Sequence, residues 1–78
     1  MAYSKQAIAD NLRALRARKR LSQEEVARAI GVNPGTISNY ENAEVNISYE
    51  NAWALADLYG VPLAELGGRD ENTIKASA

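Results

Sequence analysis

Residues 21–42, LSQEEVARAIGVNPGTISNYEN, carry two helix starts and one helix stop within 22 positions. Ser22 with Glu25 three residues on has the pattern of a capping box, which opens a helix. Gly31 ends that helix, because glycine adopts positive φ without steric cost. Asn33 then caps the next helix, with Pro34 at the first helical position, where a missing N–H costs nothing. The spacing predicts two short helices joined by a tight turn. The second has only Ile37 and Tyr40 as large apolar residues, three apart and so on one face. It contributes little to a core, and Pro34, Gly35, Thr36, Ser38, Asn39 and Asn42 are left pointing outward.

The rest of the chain reads as helix in pieces, with no alternating β-branched run. Ser4 caps a first helix with Ile8, Leu12 and Leu15 on its inner face, and its basic end, Arg16 to Lys19, suits the negative pole of the helix dipole. In the second helix, Val26, Ala27 and Ile30 face inward. "AEVNI" is a loop. Ser48 opens a fourth helix with Ala52, Leu55, Ala56 and Tyr59 as its stripe and Gly60 as its stop, and "VPLAEL" gives a short fifth turn or helix starting at Pro62. The expected fold is all-α: one compact five-helix domain over residues 1–66, then a polar tail, 67–78, frayed or disordered. Seventy-eight residues lie near the lower end of what one core stabilises unaided.

Composition excludes several classes of function. The chain has no cysteine and no histidine, which removes disulfides, thiolate metal sites, the commonest zinc ligand and the commonest general base. There is no Walker loop and no tight carboxylate cluster, so an enzyme is not expected, nor a metal or cofactor. No apolar run approaches the roughly 20 residues of a membrane span, and the N-terminus does not read as a signal peptide, so a cytoplasmic protein is expected. The net charge of −1 is unevenly spread. Residues 1–30 hold seven bases and three acids, residues 31–78 two bases and seven acids, giving +4 and −5. Five of the bases fall between Arg13 and Arg20, and the local patch governs contact with phosphates.

Two helices around a glycine turn form a helix-turn-helix, whose geometry suits duplex DNA. The major groove, about 12 Å wide, admits one helix, which a second braces from behind. Ala27 is small where the two would cross, and Val32 and Ile37 plug the junction. Over about residues 5–66 the chain resembles the Cro and lambda-repressor type of helix-turn-helix transcriptional regulators. The likeness is carried by "LRALR" (12–16), "LSQEEVARAIGV" (21–32), "TISNYEN" (36–42) and "ISYENAWALADLYGVPLAEL" (47–66).

The resemblance implies roles for individual residues. Asn33, Pro34, Gly35, Thr36 and Asn39 match its base-reading surface. Gln23 matches a glutamine that contacts a phosphate and braces the recognition helix, while Ser22 and Asn42 match further backbone-contacting positions. Arg16 and Glu41 match an ion pair between the first helix and the end of the third. The side chains fit: Asn39 can donate and accept together at an adenine edge, and Thr36 offers a hydroxyl and a methyl. Gly35 can only permit close backbone approach, so modest discrimination per half-site is expected. The chain departs from the pattern after the third helix, where Ala43, Glu44 and Val45 replace a glycine and then a basic residue, and Ile47 replaces a common proline. Glu44 would repel a phosphate; Arg18, Lys19 and Arg20 would compensate from the other side.

Plainer readings stand beside these. Arg13 to Arg20 also suit a solvated helix end, Gln23 a simple capping-box position, and Ser38 a bond to its own helix. Tyr40, Tyr49 and Trp53 read as core or edge packing rather than base-stacking groups. Leu58, Val61, Leu63 and Leu66 either complete the core or form a dimer seam. The expected function is a sequence-specific regulator of transcription, most simply a bacterial or phage repressor acting as a homodimer on near-palindromic double-stranded DNA. The alternative is an antitoxin-like or adaptor module that chiefly holds a protein partner, for which the acidic second half speaks.

Overall fold

The structure, a computed structural model, describes residues 4–67. Over these residues the chain forms five helices: α1 Lys5–Lys19, α2 Gln23–Ile30, α3 Pro34–Glu41, α4 Tyr49–Tyr59 and α5 Leu63–Leu66. The expected tail lies, from residue 68 on, outside the described residues. Gly67 is buried at the end of α5, so it belongs with the packed helices.

Serines start three of the helices. The hydroxyl oxygens of Ser4, Ser22 and Ser48 accept from the backbone N–H of Ala7, Glu25 and Asn51 at 3.0, 3.0 and 3.1 Å, satisfying N–H groups that have no partner within the helix. The Glu25 carboxylate in turn accepts from the Ser22 N–H at 2.8 Å, completing the capping box. Asn33 occupies the capping position of α3 without a side-chain bond there. Pro62 is itself the cap of α5, one residue ahead of the helix.

The first four helices end in one way. In each, a residue with left-handed backbone is followed by an N–H that reaches five residues back: Leu21 to Arg16, Val32 to Ala27, Glu44 to Asn39 and Val61 to Ala56. Glycine supplies that backbone at positions 31 and 60, but Arg20 (φ 57°) and Ala43 (φ 60°) supply it at the other two. Leu21, Val32 and Val61 then pack against the core, the apolar contact that usually accompanies this ending. After α3 the equivalent residue is Glu44, which is exposed.

The core joins Leu12 and Leu15 of α1, Val26 and Ala27 of α2, Ile37 and Tyr40 of α3, the α4 stripe Ala52, Leu55, Ala56 and Tyr59, and Leu66. Ala9 is also fully buried. Ile8 and Ile30 are half-buried against this cluster. Leu66 therefore completes the core, while Leu58, Val61 and Leu63 pack partly against it. Tyr49 and Trp53 do not follow the packing expectation that Tyr40 meets: both are exposed.

Candidate nucleic-acid interface

One carboxylate ties the first three helices together. Glu41, at the C-terminal end of α3, is 1% exposed and is the only buried charged residue among those described. Arg16 of α1 donates to it twice, Nε to Oε2 at 2.8 Å and Nη2 to Oε1 at 2.9 Å. Gln23, the first residue of α2, donates Nε2 to the same Oε1 at 3.0 Å. Arg16 Nη1 also donates to the Leu21 carbonyl at 3.0 Å, and Arg13 donates to the backbone carbonyl of Glu41. A buried carboxylate needs this much company, since an unpaired one would be driven to neutralise.

The network shifts the ionisation of Arg16. The side-chain hydrogen bond to Glu41 raises the Arg16 pKa above its ordinary value, against the lowering effect of burial. Burial pushes the nearby Tyr59 phenol up to about 12, and the negative charge of Glu41 adds to that. At the start of α2, hydrogen bonds from the Ser22 backbone and hydroxyl hold Glu25 below the usual carboxylate range.

α3 is held from its other side as well. Asn51 of α4 donates Nδ2 to the Tyr40 hydroxyl at 2.9 Å, and Ala27 of α2 is buried behind the helix. Ile37, Tyr40 and Glu41 thus face inward, and the remaining side is presented outward on a fixed frame. Asn33, Pro34, Gly35 and Asn39 are exposed and Thr36 is half-buried. A Cβ built on Gly35 would meet nothing within 4 Å, so packing within the chain does not require glycine there. Ser38 is half-buried, and its hydroxyl accepts from Asn42 Nδ2 at 3.3 Å.

The expected phosphate-facing residues fall into two groups. Ser22 and Gln23 sit together at the start of α2, next to α3 through Glu41. Gln23 commits one amide N–H to that carboxylate, and a primary amide has a second to offer. Arg18, Lys19 and Arg20 are exposed at the end of α1. Arg18 lies 3.9 Å from Glu65 of α5, a contact too long and too exposed to hold it firmly. Residues 29–68 contain no lysine or arginine, so α3 and the loop after it bring no positive side chain of their own. The resemblance implied a bracing role for Gln23; its partner, the Glu41 carboxylate, and the Arg13 bond come from the fold, since helical spacing does not reveal which polar residue turns inward.

Among the described residues no three or more Asp or Glu side chains cluster as a metal ion would require, and no helix is long and apolar enough to cross a membrane. A recognition-type helix pinned at its C-terminal end, braced by a second short helix across a glycine turn, defines a helix-turn-helix domain. The chain belongs to the helix-turn-helix family, which matches residues 12–66, and its domain is of the Cro and lambda-repressor type. It is similar to the cryptic phage CTXphi transcriptional repressor RstR of Vibrio cholerae, at 43% identity over 63 residues covering 81% of this chain. That match spans 57% of the repressor's own length. Among solved structures, the restriction-modification controller protein C.AhdI of Aeromonas hydrophila superposes with a TM-score of 0.75 at 31% identity, covering 80% of this chain and 94% of that one. The hypothetical transcription factor NHTF from Neisseria gives 0.78 at 30% identity, covering 92% and 83%.

Proposed function

We propose that the chain binds double-stranded DNA in a sequence-dependent way and represses transcription, acting as a homodimer on a near-palindromic operator. The observation that carries this reading is the two-sided build of α3: Ile37, Tyr40 and Glu41 are locked inward, and uncommitted polar groups face out. Thr36 and Asn39 supply the base contacts, with Asn33 and Pro34 at the entry to the groove and Gly35 allowing the backbone close to the duplex. Ser22, Gln23 and Asn42 position the helix on phosphates, and Arg18, Lys19 and Arg20 add the salt-sensitive attraction. A single helix reads only a few base pairs, so useful specificity needs two, about one helical turn apart. The kinship with a phage repressor supports the direction of regulation.

The test is a binding titration against salt on a duplex carrying the preferred sequence and on an unrelated one. Lys19→Ala should weaken both alike and flatten the salt dependence by roughly one counterion. Asn39→Ala should weaken only the preferred duplex. If neither substitution changes binding, the docking is wrong.

A further inference from the structure

In the ending shared by the first four helices, the residue whose N–H reaches five positions back turns to the same side as the residue it reaches. After α2, Val32 bonds the carbonyl of buried Ala27 and packs against the core, and after α4 Val61 does the same with buried Ala56. After α1, Leu21 bonds Arg16, and both are half-buried. After α3 the pair is Glu44 on Asn39, at 2.9 Å, and both are exposed. The turn that tucks an apolar side chain inward at the other three helices therefore sets the Glu44 carboxylate on the outward side of α3. That side also carries Asn39.

The carboxylate has no counter-charge. Among the described residues no ion pair includes it, and residues 29–68 hold no lysine or arginine. The negative pole of the α3 dipole lies at the same end. The first turns of a recognition helix meet base edges and its far end runs back toward the backbone, so a charge just past Glu41 meets phosphate. We propose that Glu44 limits affinity: its carboxylate opposes the duplex phosphates at the exit of α3, and the chain binds every duplex more weakly than its fold allows. Such a penalty falls on all sequences alike. It keeps unrelated DNA free while the base contacts of Thr36 and Asn39 still hold the preferred sequence. This rests on the DNA-binding reading above and adds which residue sets its strength.

The full chain, Glu44→Gln and Asp57→Asn are titrated on the duplex recovered by selection from random DNA and on an unrelated duplex, at salt stepped upward from physiological. Asp57 is the control: an exposed carboxylate about 9 Å along α4 from the Asn51 that bonds Tyr40, beyond the screening length of about 8 Å. Both changes remove one negative charge. Glu44→Gln should tighten both duplexes by roughly fivefold, the factor for two unit charges about 4 Å apart in water, while Asp57→Asn stays near the parent. Glu44→Lys should go further and steepen the salt dependence by roughly one counterion. A gain in affinity cannot come from a chain that fails to fold. Glu44→Gln binding like its parent, or Asp57→Asn tightening as much, overturns the limit and leaves DNA binding standing. Glu44→Gln weakened on the selected duplex alone also overturns it, by making the carboxylate a base contact. A parent that retains neither duplex overturns the DNA-binding reading and the limit together.

Discussion

Arg16 on α1 and Glu41 on α3 are joined by two parallel hydrogen bonds of 2.8 and 2.9 Å, and Gln23 of α2 donates to the same carboxylate. The side chain of Glu41 is 2% exposed and that of Arg16 24%. The two partners are therefore unequal: losing the arginine strands a buried charge, whereas losing the carboxylate leaves a guanidinium that can still reach water.

Arg16→Ala should cost about 3–5 kcal/mol, the range for breaking a buried ion pair from one side, out of a total stability of about 5–15 kcal/mol. Glu41→Gln should cost less, since it leaves no stranded charge and keeps an acceptor for Arg16. The double change Arg16→Met with Glu41→Leu should recover most of the loss. Urea unfolding of the three variants checks the order. An Arg16→Ala protein as stable as its parent would show that the pair does not hold the first three helices together.

Ala43 takes the left-handed backbone that closes α3, at φ 60°. That conformation costs a residue with a Cβ about 1–2 kcal/mol, and glycine's extra freedom in the unfolded chain returns part of it. Ala43→Gly should therefore stabilise the protein by about 0.5–1 kcal/mol. A shift of the urea midpoint to higher concentration with an unchanged slope is the expected signature. A lower midpoint would contradict it.

Gly35 lies inside α3 with open space where a Cβ would sit. Gly35→Ala should add about 0.8–1 kcal/mol of stability through helix propensity. If the backbone at this position approaches DNA, the same change should weaken binding to the preferred duplex. Paired melting and binding measurements separate the two effects, and unimpaired binding would remove Gly35 from the contact surface.

Tyr59 is buried, 4% exposed, and its phenol is pushed up to about 12. An unfolded tyrosine ionises near 10. The folded state thus holds the proton more tightly, and its contribution is fully present below about pH 10 and lost as pH rises through about 12. Stability should fall across that window by on the order of 2 kcal/mol. Tyr59→Phe should remove this part of the decline, as measured by urea unfolding at stepped pH. An equal decline in the variant would assign it elsewhere.

The helix starts and stops were legible in the sequence because single residues set them: Ser4, Ser22 and Ser48 cap, and Gly31 and Gly60 terminate. The inward stripe of α4 was legible from its period alone. The Arg16–Glu41 pair was reached only by resemblance, since the charge of Glu41 argues for the surface, and the Gln23 bond that makes Glu41 a hub of three helices was not foreseen. The left-handed turns at Arg20 and Ala43 were not legible, because no local property of those residues favours them and the fold imposes them. Tyr49 and Trp53 are aromatic at helical spacing and so read as packing, but they lie on the face of α4 turned from the core. The outward residues of α3 were legible by subtraction, as those left once Ile37 and Tyr40 had been assigned to the interior.

The central claim, that the outward face of α3 reads base edges, is tested most directly by selecting bound sequences from random duplex DNA with the parent protein and Asn39→Ala in parallel. The account predicts that the parent enriches an inverted repeat, with half-sites about one helical turn apart, and that Asn39→Ala loses preference at one position in each half. Recovery of the same motif by both proteins, or of none by the parent, would contradict it.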